Sequence, residues 1–295
     1  MGVPRCILQV KMLTMILFKR SEDLRQWLKI RQSKGITTGF VPTMGALHEG
    51  HIRLVEACRA ETGLCVCSIF VNPAQFNDPK DFEKYPVSLE KDIEMLHQSG
   101  ADVLFLPAVS DIYPEGDQHL ETYDLGGLES LLEGRYRPGH FQGVCQVMRR
   151  LLLLVNPGHL FMGQKDYQQC LVVGRLIGLL KISVELHVVA TVREPDGLAQ
   201  SSRNRRLTPD QRKNAVVISQ ALAEIRENLS MEKTKEVLER VKEKLQAAHF
   251  KTDYVCIARA EDLQPIERWN GREKAVALIA AYQGEVRLID NMLLN

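Results

Sequence analysis

The sequence predicts an α/β protein: a parallel sheet built from alternating strands and helices, then a smaller α+β unit. Three observations carry that reading. Up to about residue 192, short apolar runs alternate with helical patterns, the order expected of βαβ units. Residues 64–71 form a continuous apolar run ending at Asn72-Pro73, as a strand buried on both faces requires. Beyond residue 192 the pattern shifts to charged amphipathic segments and a hairpin.

Residues 36–41 read as a strand ending at Pro42, and 51–60 as a helix on the spacing of Ile52, Val55 and Cys58/Arg59. After the 64–71 strand, residues 88–99 read as a helix with Leu89, Ile93 and Leu96 inward, closed near Gly100. The next strand is 101–106, ending at Pro107. Residues 140–155 form a helix with a stripe of Val144, Val147, Met148, Leu151 and Val155, stopped by Asn156-Pro157. Segments 160–162, 167–180 and 183–192 then read strand, helix, strand. Thr208-Pro209-Asp210-Gln211 opens a helix, with a Thr cap, Pro at the first position and Gln closing a capping box. A charged helix over 231–248, a strand over 254–258 and a hairpin of 275–281 with 286–289 around Gln283-Gly284 complete the tail. The expected division is residues 1–190 and 191–295. Met12 or Met15 is read as an alternative start, which makes residues 1–14 an extension outside the fold.

A chain of 295 residues can bury one large core or two modest ones. A net charge of +1 supplies no global field toward nucleic acid or an anionic membrane, so neither is an expected partner. No run approaches the roughly 20 apolar residues of a membrane helix. The seven cysteines are odd in number, scattered and without a CxxC pair. They read as free thiols of a cytoplasmic protein, not as disulfides or a zinc site. Cys65 and Cys67, two apart in a strand, face the same side.

The sharpest motif is Pro42-Thr43-Met44-Gly45-Ala46-Leu47-His48-Glu49-Gly50-His51, between a strand and a helix. Gly45 permits a tight turn and Gly50 a close ligand approach. His48 and His51 stand at a helix entrance, where free N–H groups and the macrodipole favour phosphate. The bland alternatives are a zinc site or two capping histidines. Zinc is disfavoured because His-x-x-His lacks the i, i+4 spacing and an evident third ligand. A second segment, Gln200-Ser201-Ser202-Arg203-Asn204-Arg205-Arg206, reads either as a grip for polyphosphate or as a solvated charged face. In Gly163-Gln164-Lys165-Asp166, with Gln169 one turn on, Lys165 can neutralise phosphate; the alternative is a surface turn with Asp166 as a helix cap. Asn72-Pro73-Ala74-Gln75-Phe76, with Tyr85 downstream, offers neutral amides for a small polar acid, or simply turn chemistry around Pro73.

Together the chain resembles the pantothenate synthetases. The matching stretches are Phe40 through His51, Phe70-Val-Asn-Pro-Ala-Gln-Phe76, Arg137-Pro-Gly-His-Phe-Gln-Gly-Val144, Gly163-Gln-Lys-Asp-Tyr-Gln-Gln169 and Ser201-Ser-Arg-Asn204, in the family's order and spacing. The resemblance implies a Rossmann-like nucleotidyltransferase domain with the His-x-Gly-His signature, a smaller C-terminal lid domain, and a homodimer. It implies ATP with Mg2+, formation of pantoyl-adenylate from pantoate, and attack on it by β-alanine. Residue by residue, it carries ATP binding onto Met44, Gly45, Ala46, Leu47, His48, Glu49, Gly50 and His51. The same role falls to Gly163, Gln164, Lys165 and Asp166, to Val192, and to Gln200, Ser201, Ser202, Arg203 and Asn204. Pantoate and β-alanine fall to Gln75 and Gln169, with Asn72 and Tyr85 at lesser positions. Catalysis falls to His51 as proton donor, His48 on phosphate, and Lys165. Two residues depart from the family's pattern: Gln200 stands where Met is usual, and Gln164 where Glu is usual. A rival transferase acting on a phosphate acceptor would need more cations near Asn72 and Gln75. A silent RNA-binding relative would have lost a histidine or the Ser-Ser-Arg loop.

Overall fold

The computed structural model describes residues 14–76, 82–116, 121–230 and 233–295. The first unit is a six-stranded sheet in the order β1-β4-β3-β2-β5-β6, with every strand pair parallel. Its strands are β1 (Ile16–Phe18), β2 (Thr38–Thr43), β3 (Leu64–Ile69), β4 (Val103–Phe105), β5 (His159–Gly163) and β6 (Glu185–Val189). Helices α1 (Ser21–Gln32), α2 (Glu49–Glu61), α3 (Leu89–Ser99), a short α4 (Val109–Ile112), α5 (Leu132–Tyr136), α6 (His140–Val155) and α7 (Tyr167–Leu180) join them. One core packs Phe40, Val66 and Leu160 beneath α1, α6 and α7. The other packs Val41, Cys65, Cys67 and Phe161 beneath α2 and α3, so Cys65 and Cys67 do share a face.

The chain winds outward from β2 through β3 to β4, then returns to β5 on the other side of β2. That reversal between β2 and β5 is a switch point, and ligands bind such sheets in the crevice beyond the strand ends there. The strands open early: β2 pairs with β5 only at Gly39 and Phe40. The sequence reading ends this strand at Pro42; instead β2 continues to Thr43, with Pro42 in register with Ser68 of β3. A proline is tolerated there because β2 has already lost β5 as a ladder neighbour.

Other boundaries moved for local reasons. Strand β3 stops at Ile69, not Val71, and β6 spans only Glu185–Val189 of the expected 183–192. Leu89, expected inward, is 36% exposed, while Asp92 is 1% exposed on the inner face of α3 beside Leu96. Helices α6 and α7 have the expected bounds, α6 with its whole apolar stripe buried. Strand β1 and helix α1 had no counterpart in the sequence reading. Most of the supposed 1–14 extension, and Met231 of the charged helix, lie outside the described residues.

The second unit carries α8 (Pro209–Ala215), α9 (Val217–Asn228), α10 (Thr234–Ala247) and an antiparallel sheet β7-β8-β9 (Phe250–Arg259, Ala275–Gln283, Val286–Leu293). The capping box opening α8 is formed: Gln211 N donates to Thr208 Oγ1 at 3.3 Å, and Thr208 N to Gln211 Oε1 at 3.0 Å. Its own core runs from Leu198 to Leu288. Polar clamps tie the units together. Arg287 forks onto the buried Glu133 carboxylate at 2.7 and 2.8 Å, Tyr254 OH donates to it at 2.8 Å, and Gln164 Nε2 donates to Asn291 at 3.1 Å. Among the described residues no helix is long and apolar enough to cross a membrane, and the cysteines are free.

Candidate active site

A cleft lies at the switch point, walled by the ends of β2 and β5 and by residues 190–192 and 200–203, with Tyr254, Asp290 and Asn291 of the second unit. The loop after β2 reaches it at Met44 and His48. Gly45 and Ala46 there have φ of +80° and +50°, a left-handed pair that is costly for alanine. The buried Asp92 carboxylate holds that turn: it accepts from Ala46 N and Leu47 N, each at 2.8 Å, and from Ser88 Oγ at 2.9 Å.

Both histidines cap α2. His48 Nδ1 accepts from Gly50 N at 3.2 Å and His51 Nδ1 accepts from His48 N at 3.3 Å. The capping alternative is therefore realised, yet it does not compete with phosphate binding. A ring whose Nδ1 accepts must carry its single neutral proton on Nε2, so each imidazole keeps an N–H donor to offer a ligand. Burial lowers His48 to about 3, helped by His51 and Lys165, and lowers His51 to about 4, helped by Lys165. The pair is neutral near pH 7. The room at Gly50 serves His48 itself: a Cβ there would sit 3.0 Å from the imidazole.

These shifts give a signed expectation. Folded, the two rings stay neutral down to about 4 and about 3; unfolded, they take up protons below about 6.5. Stability is therefore level above pH 6.5 and falls as pH drops from there toward 4. Thermal unfolding between pH 8 and pH 5 checks this, with His51→Gln expected to flatten the acid limb.

Gln75 is locked in place beside the loop after β2, its Nε2 donating to Met44 Sδ at 2.7 Å. Asn72 Nδ2 donates to Gln75 Oε1 at 3.3 Å and to Gly143 O at 3.1 Å, while Tyr113 OH donates to Asn72 Oδ1 at 2.8 Å. Asn72 thus spends its amide on positioning. The Gln75 backbone is held by His140, whose Nδ1 donates to Gln75 O at 2.8 Å while Nε2 accepts from Arg137 at 3.1 Å. Burial lowers His140 to about 4, helped by Arg137, which keeps that tautomer. Gly143 lets α6 touch the turn, since a Cβ there would meet Ala74 O at 2.1 Å.

Of the expected site residues, Met44, His48, Gly50, His51, Asn72, Gln75, Tyr85, Gly163, Lys165, Asp166, Gln169, Val192, Gln200, Ser201, Ser202 and Arg203 line the cleft. Gly45, Ala46, Leu47, Glu49, Gln164 and Asn204 do not. Ala46 and Leu47 are buried behind the turn, Glu49 is exposed and Gln164 is engaged with Asn291. Asp166 makes no side-chain cap; it lies 3.9 Å from Lys165 Nζ. Gln200 is a departure with a consequence: its Oε1 accepts from Gly50 N at 3.0 Å, occupying part of the helix entrance. Sequence reasoning missed Asp92, Glu133, Thr191 and the lower clamp at Arg287. Asp92 was detectable as a carboxylate one turn before Leu96 on an inward face, and Thr191 Oγ1 is buried without a hydrogen-bond partner at the cleft wall.

Residues 16–293 match the family model described as pantoate-beta-alanine ligase. Pantothenate synthetase of Porphyromonas gingivalis is 41% identical over 280 residues, covering 94% of this chain and 99% of that one. That of Thermus thermophilus is 46% identical over 256 residues, covering 86% and 92%. A crystal structure of the Thermus thermophilus enzyme superposes with a TM-score of 0.87 at 43% identity over 95% of this chain and 99% of that one. The Francisella tularensis pantoate-beta-alanine ligase, complexed with beta-gamma ATP and beta-alanine, gives 0.79 at 35% identity over 95% and 98%. Fold, cleft and sequence agree, and the chain belongs to the pantoate-beta-alanine ligase family of enzymes.

Proposed function

We propose that the chain joins pantoate to β-alanine in two steps within this one cleft, with ATP, accompanied by Mg2+, as the activating substrate. A pantoate carboxylate oxygen attacks the α-phosphorus, and the bond to the pyrophosphate oxygen breaks. The β-alanine amine then attacks the pantoyl-adenylate carbonyl, loses a proton and displaces AMP. The observation that carries this reading is the pair of neutral Nε2–H donors at the α2 entrance, with Lys165 beside them in the same cleft. Such donors can follow charge onto the phosphate oxygens without reorganising. His51 then acts as a hydrogen-bond donor in adenylation, with His48 beside it on phosphate. Ser201, Ser202 and Arg203 face the leaving pyrophosphate. Mg2+ arrives with the nucleotide and needs few protein carboxylates.

Gln75, its Oε1 held by Asn72, turns Nε2 to the acid in exchange for Met44 Sδ, to which it donates at 2.7 Å; Gln169 lines the same cleft. Neutral amides orient a carboxylate without quenching its nucleophilicity. Residues 191–295 serve as the lid that excludes water from the mixed anhydride, which the Glu133–Arg287 clamp supports. The free buried thiols support a reducing, cytoplasmic setting, and the exposed Ile16 and Leu17 on edge strand β1 support a homodimer. Pantoate labelled with 18O in its carboxylate tests the chemistry: one label should appear in AMP, and unlabelled AMP would exclude the adenylate.

Gln200→Met removes one of the two acceptors of the Gly50 N–H, leaving His48 Nδ1 as the other, and opens the helix entrance to phosphate. The Michaelis constant for ATP is expected to fall, by less than about 10-fold, or about 1.4 kcal/mol. Initial rates over an ATP series check it.

A further inference from the structure

Away from the cleft, at the amino ends of β5 and β6, three side chains converge. His159 Nδ1 lies 2.9 Å from His187 Nε2, and the Glu185 carboxylate stands 3.6 Å from the first and 3.8 Å from the second. The ladder explains the meeting. His159 pairs with Glu185 and Phe161 with His187, so all four point to one face of the sheet. His187 is held by stacking on the buried Phe161 ring, at 4.5 Å and 11°. The potential ligand atoms all lie within 4.8 Å of one another.

We propose that His159, Glu185 and His187 form a binding site for a late first-row divalent cation, Zn2+ foremost. Two borderline imidazole nitrogens with one hard carboxylate oxygen suit zinc, copper and nickel, and the two imidazoles make the set a poor one for Mg2+. Tetrahedral zinc at about 2.05 Å would set its two nitrogens about 3.3 Å apart, so the rings need only part by a few tenths of an ångström from 2.9 Å. A water would complete the shell. The field is favourable: His159 is the register partner of Gly39, whose Cβ would meet Cys58 Sγ and Thr62 Oγ1 at the end of α2. The cluster thus sits on the side of the negative terminus of that helix. A bound ion would cross-link edge strand β6 to β5. The site is distinct from the cleft, since His159 opens β5 and Gly163 ends it, about 13 Å away at strand rise.

Calorimetric titration of ZnCl2 into tag-free, chelator-treated full-length protein tests this, with thermal unfolding alongside. One ion per chain is expected, with a higher melting temperature and no effect of equimolar MgCl2. His187→Ala and the conservative Glu185→Gln at an exposed position should each weaken binding about tenfold or more, while leaving turnover unchanged. Co2+ should show nitrogen–oxygen ligation without thiolate charge-transfer bands. Full-strength binding in both variants, no binding in wild type, or thiolate bands assigning the ion to Cys58, Cys65 or Cys67 would each overturn the proposal.

Discussion

Replacing His51 by alanine is expected to slow adenylation about 10²- to 10³-fold, roughly 3–4 kcal/mol, the size of one lost preorganised donor. Its Nδ1 is engaged by the His48 backbone N–H, so the N–H facing the cleft is the one lost. The defect should fall on kcat in pyrophosphate exchange, because a donor that strengthens only as charge develops contributes little to ground-state binding. Stability should drop by only about 1 kcal/mol, the value of a helix cap. His51→Gln, which retains an N–H but not its position, should recover part of the rate. A kcat equal to wild type in a folded variant would remove His51 from the chemistry.

Asp92→Ala should destabilise the fold, although Asp92 does not line the cleft. It leaves the buried N–H groups of Ala46 and Leu47 without the acceptor they now share, at about 1–3 kcal/mol each. The total is about 2–6 kcal/mol in denaturant unfolding. The left-handed turn at Gly45 and Ala46 would then relax and carry His48 with it, and displacement of about 1 Å at a reacting group costs on the order of 10²-fold. Asp92→Asn keeps one acceptor oxygen and should fall between. Asp92 touches no ligand-facing atom of the cleft, so a rate loss that follows loop disorder, restored partly by Asn, marks it as a positioning residue. Unchanged stability in Asp92→Ala would refute the bracing role.

What could be read from the sequence follows the range of the interactions involved. Helices α6 and α7 were legible to the residue because their signals are local: an apolar stripe in α6, and Asn156-Pro157 after it. The Thr208 capping box was legible for the same reason. Strand β1, three residues long, exists only through its pairing with β4, and no local pattern announces it. Pro42 misled because a proline's tolerance in a strand depends on which neighbour the strand has lost. The placing of His48 and His51 at a helix entrance was readable, but not the bracing of that loop by Asp92 from another helix. Nor could Gln200 be seen to reach Gly50 N across 150 residues. Nor could it be seen that Asn72 bonds Gln75 while Tyr113 and Gly143 hold its amide.

The most direct measurement is exchange of labelled pyrophosphate into ATP, with and without D-pantoate and in the absence of β-alanine. If the two neutral imidazole donors and Lys165 of the cleft serve adenylation as proposed, exchange depends strictly on pantoate and Mg2+. Folded, ATP-binding protein that fails to exchange under those conditions, or exchanges equally without pantoate, would contradict the account.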